Sequence, residues 1–297
     1  MSKDRTASAI FVVLVAGLLW SFGPLVVRNI DNAQLIPWQY LFFRGSVIFL
    51  VLNIYLFLVE GQKFINNYSR IGLSGLIGGA SLGIGNITFI LSITTTTAAI
   101  TMMMLAAMPF MAAILAYVFL KEKISTTTLI AIIIAAGGII FMSFDSKGEG
   151  TLFGLINGLL SSLGFSIFSV TLRWRKKTPK FTTVAIAGIF CAAVSLLVLL
   201  FNDSNILVSL KSTSLSALHG FLVCSGLILY STKSKYLPAA DLTLLSLTEV
   251  LGGILWVWLP VFGINEVPNT NTLIGGAVIT LAIIFYGFNT KRFMFKY

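Results

Sequence analysis

Charge is what this chain has least of. Only 10% of its 297 residues are Asp, Glu, Lys or Arg, and ten of them are acidic. Soluble domains carry about 25% charged residues, so a water-exposed globular surface of this size is excluded. There is one histidine, His219, and two cysteines, Cys191 and Cys224. No metal-ligand constellation can be built from so few ligands, and neither can a disulfide framework. Both cysteines fall inside apolar stretches, where a buried, inert thiol is expected. The chain has no G-x-x-x-x-G-K-[ST] loop, which speaks against a primary ATP-driven pump. No nucleophile, base and orienter stand at recognisable spacing, so no enzymatic activity and no cofactor are expected.

What remains is apolar. Hydrophobic residues make up 57% of the chain and the mean hydropathy is +0.96. A helix needs about 20 apolar residues to cross a ~30 Å hydrocarbon core. Ten such segments can be read: 7–27, 36–59, 71–93, 98–120, 127–144, 151–172, 182–201, 214–230, 239–262 and 272–288. A membrane β-barrel would alternate apolar and polar residues, whereas the run from Ile130 to Ala136 is apolar all round. The expected fold is therefore an all-α membrane protein with ten transmembrane helices. The first segment, though preceded by Lys3 and Arg5, is too long for a signal core and has no small-residue cleavage site, so it is expected to stay.

The net charge of +10 invites a nucleic-acid reading, which the positions of the basic residues answer. With the N-terminus inside, sixteen of the twenty Lys and Arg residues fall on inner segments. Three, Arg28, Lys147 and Lys211, fall on outer ones, and Arg44 lies within a helix. This positive-inside bias predicts that both termini are cytoplasmic and supports the even count of ten. The cluster from Arg173 to Lys180 reads first as topogenic, with binding of anionic lipid or a phosphorylated substrate as the alternative. No nucleic-acid partner is expected.

The second half repeats the first. Ala98-Ala99 through Pro109 aligns with Ala239-Ala240 through Val250, Leu120-Lys-Glu-Lys-Ile-Ser with Gly263-Ile-Asn-Glu-Val-Pro, and Trp20 running to Arg28 with Phe165 running to Arg173. Five helices per half is an odd number, so the copies must be inverted in the membrane, an architecture that recurs in secondary transporters. The expected division is 1–146 and 147–297.

With the Trp20-containing first helix, Thr95-Thr-Thr-Ala-Ala-Ile, Met108-Pro109, Phe119-Leu-Lys-Glu-Lys-Ile-Ser125 and Leu237-Pro-Ala-Ala-Asp-Leu-Thr, the chain resembles the drug/metabolite transporter superfamily in its ten-helix EamA-type branch. The resemblance covers nearly the whole chain. It implies transport of small metabolites, from amino acids and amines to nucleobases and drugs. Two departures stand out. The family's frequent Glu-Pro pair in the ninth helix is Glu249-Val250 here, which questions a kink there, and its usual Gly-Glu turn after the fourth helix is Lys121-Glu122.

Six residues are candidates for a substrate cavity: Trp20, Arg44, Asn86, Pro109, His219 and Glu249. Glu249 lies ~15 Å into a helix entering from the cytoplasm, near the midplane, where a carboxylate is expensive unless paired, hydrated or protonated. It reads as a proton-coupling or substrate-amine site, or as a structural carboxylate between helices. Arg44, ~12 Å below the opposite surface, either binds a substrate carboxylate or snorkels to the interface, and is deep enough to pair with Glu249. His219 suits a proton relay or an interhelical hydrogen bond. Pro109 should kink the fourth helix and free carbonyls that could face substrate. Asn86 and Asn157 need partners across helices or in a wet cavity. Asp241 reads as an N-terminal cap, Trp256 and Trp258 as interface belt residues, and Gly78, Gly79, Gly83 and Gly85 as close-packing positions. Met102, Met103, Met104 and Met108 offer polarizable surface, with Met103 and Met104 expected merely to pack or face lipid.

The function expected is secondary active transport of a small organic solute by alternating access, with protons as a candidate coupling ion and the lipid bilayer as surroundings. A passive channel or a non-transporting membrane subunit are the alternatives. The resemblance and the lack of an organelle-targeting segment suggest a bacterial inner membrane.

Overall fold

The computed structural model describes residues 3–143, 151–175, 177–268 and 270–295. Every regular element among them is helical. We number the long helices α1 (Lys3–Arg28), α2 (Pro37–Glu60), α3 (Gly72–Thr95), α4 (Ala98–Leu120), α5 (Thr126–Ser143), α6 (Leu152–Trp174), α7 (Lys180–Phe201), α8 (Leu210–Lys233), α9 (Ala239–Trp258) and α10 (Thr270–Phe295). Eight are long and apolar enough to cross a membrane; α5 and α10 supply shorter apolar stretches, Thr126–Phe141 and Leu273–Tyr286, and pack on each other. Ten passes put both termini on one face, here the termini face, opposite the far face. The proposed division at 146/147 lies outside the described residues, as do Lys147, Lys176 and Lys296 of the charge count.

Polar residues mark the helix starts. Thr97 Oγ1 accepts the Ile100 N–H before α4, Ser125 Oγ that of Thr128 before α5, Thr151 Oγ1 that of Gly154 before α6, and Ser209 Oγ that of Ser212 before α8. Each such cap contributes about 1 kcal/mol, enough to fix where a helix begins but not how it packs. Packing follows a symmetry. α3 lies on α6 and α7, α8 on α1 and α2, α1 on α9 and α6 on α4; α2 pairs with α7, α4 with α9 and α5 with α10. Advancing every helix number by five returns the same set, as two inverted five-helix repeats require.

Small residues set the closest approach, because lipid tails give no hydrophobic drive for one helix to leave them for another. Where α2 crosses α7, a Cβ on Gly45 would come within 2.7 Å of the Gly188 carbonyl oxygen, and a Cβ on Gly188 within 2.9 Å of the Gly45 oxygen. The crossing is reciprocal. Gly79 and Gly83 lie similarly against the carbonyls of Thr183 and Ala187, so these glycines serve packing of α3 on α7.

Both α4 and α9 are broken midway. α4 consists of Ala98–Leu105 and Met108–Leu115 followed by a π turn, and Pro109 sits in the first turn of its second piece, where a missing N–H costs least. α9 consists of Ala239–Leu245 and Thr248–Trp258. Val250 in place of proline made a kink there doubtful, yet the ninth helix breaks at the matching position. Serines of α6 hold the two pieces of α4 at the break: Ser162 Oγ donates to Met104 O at 2.6 Å and Ser166 Oγ to Met108 O at 3.0 Å.

Candidate functional site

Between the two breaks lies a small cavity of about 50 Å3, lined by residues of α1, α2, α3, α4, α6, α8 and α9. That is room for one or two waters. Trp20, Arg44, Asn86, His219 and Glu249 all line it. Pro109 does not; it is buried beside Met108, which does, and its part is in the helix break.

Arg44 is 3% exposed, so it does not snorkel. Its Nη2 donates to Asn86 Oδ1 at 2.8 Å and its Nη1 to the Asn86 carbonyl at 3.3 Å, while Phe89 lies 6.0 Å beneath the guanidinium. Two buried donors remain without a protein partner, Arg44 Nε and Asn86 Nδ2. An unmade bond of this kind costs about 1–3 kcal/mol, which is why buried donors without partners are rare and informative. Glu249 stands on the same cavity and forms no ion pair with Arg44: among the described residues the ion pairs join Arg28 to Glu266, Arg173 to Glu122 and Lys211 to Asp31. As the second residue of the latter half of α9, its carboxylate lies at a helix N-terminus, where the backbone dipole favours negative charge.

His219 is held between helices. Its Nδ1 and the Tyr40 hydroxyl share a hydrogen bond, and its Nε2 faces Gly23 so closely that a Cβ there would come within 2.9 Å. Trp20 donates from Nε1 to the Val223 carbonyl at 3.2 Å and meets Phe165 edge-on at 5.2 Å and Tyr230 at 5.4 Å. Phe168 joins this aromatic cluster through Phe165 at 5.8 Å and Tyr230 at 6.4 Å.

Other expectations land elsewhere. Asp241 does not cap its helix: its Oδ1 accepts from Thr128 Oγ1 at 2.7 Å and its Oδ2 from the Tyr286 hydroxyl at 2.6 Å, tying α9 to α5 and α10. Trp256 is no lipid-belt residue, since its Nε1 donates to Ser21 Oγ at 2.8 Å and its ring stacks on Phe22 at 4.9 Å. Asn157 bonds back to the Phe153 carbonyl in its own helix. Of the methionines, only Met108 reaches the cavity. Sequence reasoning did not single out Phe89, Ser161 or Phe165 as lining residues. For Phe165 a signal existed, because it aligns with Trp20 in the repeat.

Residues 7–144 match the EamA-like transporter family. That match covers the first five-helix repeat and is to an EamA-type transporter. One solved structure, described only as the crystal structure of a protein, is similar over 96% of this chain and 98% of its own, with 17% identity and a TM-score of 0.69; the likeness concerns the fold alone. No curated protein matches the sequence closely enough to be called similar. EamA-family members are transporters rather than enzymes.

The chain also carries two matching polar latches. On the far face, Arg28 Nε pairs with Glu266 Oε2 at 3.0 Å, its Nη1 and Nη2 donate to the carbonyls of Ile93 and Thr96 at 2.8 and 2.7 Å, and Glu266 Oε1 accepts the first N–H of α4, from Ala98, at 2.8 Å. On the termini face, Arg173 Nε pairs with Glu122 Oε1 at 2.5 Å, its Nη1 donates to the carbonyls of Ser234 and Leu237, and Glu122 Oε2 accepts the first N–H of α9, from Ala239, at 3.3 Å. Both glutamates follow a residue in the left-handed region, Lys121 at φ 55° and Asn265 at φ 52°. That conformation costs a non-glycine residue roughly 1–2 kcal/mol and suits glycine. The Gly-Glu turn implied by the family resemblance thus has a physical reason at the position of Lys121.

Proposed function

We propose that the chain is a secondary transporter of small organic solutes carrying both a carboxylate and an amine, working by alternating access between halves 1–146 and 147–297. The observation that carries this reading is the pairing, in one buried cavity, of the unpartnered donors Arg44 Nε and Asn86 Nδ2 with the Glu249 carboxylate. The donors suit a substrate carboxylate, Glu249 an ammonium group, and the Phe89, Trp20 and Phe165 faces an apolar body. Without substrate, the Glu249 carboxylate can take up a proton, which makes protons the coupling ion of this reading.

The breaks in α4 and α9 support it, since discontinuous helices at matching depths surround the substrate sites of inverted-repeat transporters. The cavity of about 50 Å3 would have to widen to hold such a solute, which on this reading accompanies the opening of one of the two latches. The positive-inside bias assigns the termini face to the cytoplasm, and the inner membrane of a bacterium is the setting of this reading. Counterflow tests it: proteoliposomes preloaded with unlabelled amino acids, amines or organic acids should transiently accumulate the matching labelled solute. Saturable counterflow with zwitterions is expected; linear, non-saturating flux would favour a channel.

A further inference from the structure

A second, larger pocket of about 740 Å3 opens on the termini face among the ends of α2, α6, α7 and α8. Its rim is basic. Arg173, Lys177, Lys180 and Lys235 line it against a single acid, Glu60. Arg173 is already paired with Glu122, Lys180 Nζ donates to Ser234 Oγ at 2.6 Å, and Glu60 accepts from Asn67 Nδ2 at 2.7 Å. Lys177 and Lys235 have no carboxylate partner among the described residues. Positive charge facing the cytoplasm explains why lysines occur on this face, but not why they gather around a cavity.

Two further observations concern the same walls. Thr182 and Ser231, both fully buried and both lining the pocket, have hydroxyl oxygens without a hydrogen-bond partner. The pocket also takes in the first turn of the 22-residue α7, whose preceding residue, Pro179, offers no side chain to cap the leading N–H groups. Uncapped N–H groups, hydroxyls and several ammonium groups around one space make a site for a tetrahedral anion, which offers acceptor oxygens in every direction. Leu56, Leu172 and Phe181 supply an apolar wall beside it.

We infer that this pocket binds a phosphate group, carried by an anionic lipid headgroup or by a free phosphate ester. The full-length protein in detergent is the test object, with thermal unfolding and native mass spectrometry as readouts. The probes are phosphatidylglycerol against phosphatidylcholine, and inorganic phosphate against chloride. Lys177→Gln/Lys235→Gln removes two exposed charges from the rim, and Lys63→Gln/Arg70→Gln removes two exposed charges from the same face outside it.

Retention and stabilisation by phosphatidylglycerol, weakened roughly tenfold in the rim variant and unchanged in the control, would identify a headgroup site. The same pattern with inorganic phosphate in place of lipid would identify a free phosphate site. Binding of neither probe above its comparison would overturn the inference. So would equal losses in the two variants, which would reduce the pocket to general surface charge.

Discussion

Glu122 and Glu266 do the same work at opposite ends of the bundle, each reaching across to the other half of the chain. Glu266, between α9 and α10, binds Arg28 at the end of α1 and the first N–H of α4. Glu122, between α4 and α5, binds Arg173 at the end of α6 and the first N–H of α9. Each half thus lends a carboxylate that fixes the start of the other half's broken helix. Because the broken helices line the central cavity, the proposed alternating access would run through these latches, opening of one freeing one side of the cavity while the other stays held.

The first prediction concerns this pair. Removing the charge of one latch costs about 1–2 kcal/mol at these partly exposed sites, a roughly five- to thirty-fold shift in a two-state balance. Glu266→Gln should favour opening at the far face and Glu122→Gln opening at the termini face. Single cysteines at Thr96 and Ala240, in a chain lacking Cys191 and Cys224, report it through an impermeant thiol reagent. Labelling should rise at position 96 in the first variant and at 240 in the second. A rise at both positions in each variant would mean general loosening rather than sided opening.

The ten helices and their inversion were legible in the sequence because length, hydropathy and charge bias each act locally and leave a direct trace. The repeat was legible too, and the latches show why: Arg28 and Arg173, and Glu122 and Glu266, stand in equivalent turns and keep their identities. What escaped was the choice of partner. Asp241 sits one turn into a helix, where capping is the local solution, but Thr128 and Tyr286 arrive from helices 113 and 45 residues away and win the carboxylate. Trp256 likewise looked like an interface residue until Ser21 and Phe22, more than 200 residues earlier, met it. Long-range side-chain contacts of this kind have no signature in spacing.

Asp241 yields a prediction about stability alone. Asp241→Ala removes the carboxylate that accepts from Thr128 and Tyr286 and should destabilise the protein by about 1–3 kcal/mol. Asp241→Asn keeps an acceptor and should cost less than half as much. Thermal unfolding in detergent separates the two, and substrate selectivity in counterflow should be unchanged in both. An altered selectivity would assign Asp241 to the transport path.

At the crossing of α2 and α7, Gly45→Ala and Gly188→Ala should each force the helices apart by placing a methyl group under 3 Å from a carbonyl oxygen. Overpacking of this type costs about 1–3 kcal/mol. The reciprocal geometry predicts similar losses of thermal stability for the two variants. A tolerated alanine at either position would show that the crossing is looser than this.

Arg44 separates substrates by charge. Arg44→Ala leaves Asn86 Oδ1 without its donor and removes the guanidinium that, on the reading above, faces a carboxylate. Truncating one partner of a buried charge-assisted contact costs roughly 2–5 kcal/mol. Binding of acids and zwitterions should fall by that amount, while amines lacking a carboxylate should lose much less. Uniform weakening across all three classes would leave Arg44 a structural role only, holding α2 to α3 through Asn86.

Glu249 completes the set, because charge and proton coupling can be separated at one oxygen. Glu249→Gln keeps the shape of the side chain and its place at the start of the second half of α9, but it neither ionises nor takes up a proton. If Glu249 carries the coupling proton, the variant should exchange labelled for unlabelled substrate across the membrane yet fail to accumulate it against a gradient when a pH difference is imposed. Its exchange rate should also lose its dependence on pH. A variant that still accumulates substrate under a pH difference would move the coupling site elsewhere, and one that neither exchanges nor accumulates, though folded, would leave Glu249 its ammonium-binding role without evidence for coupling.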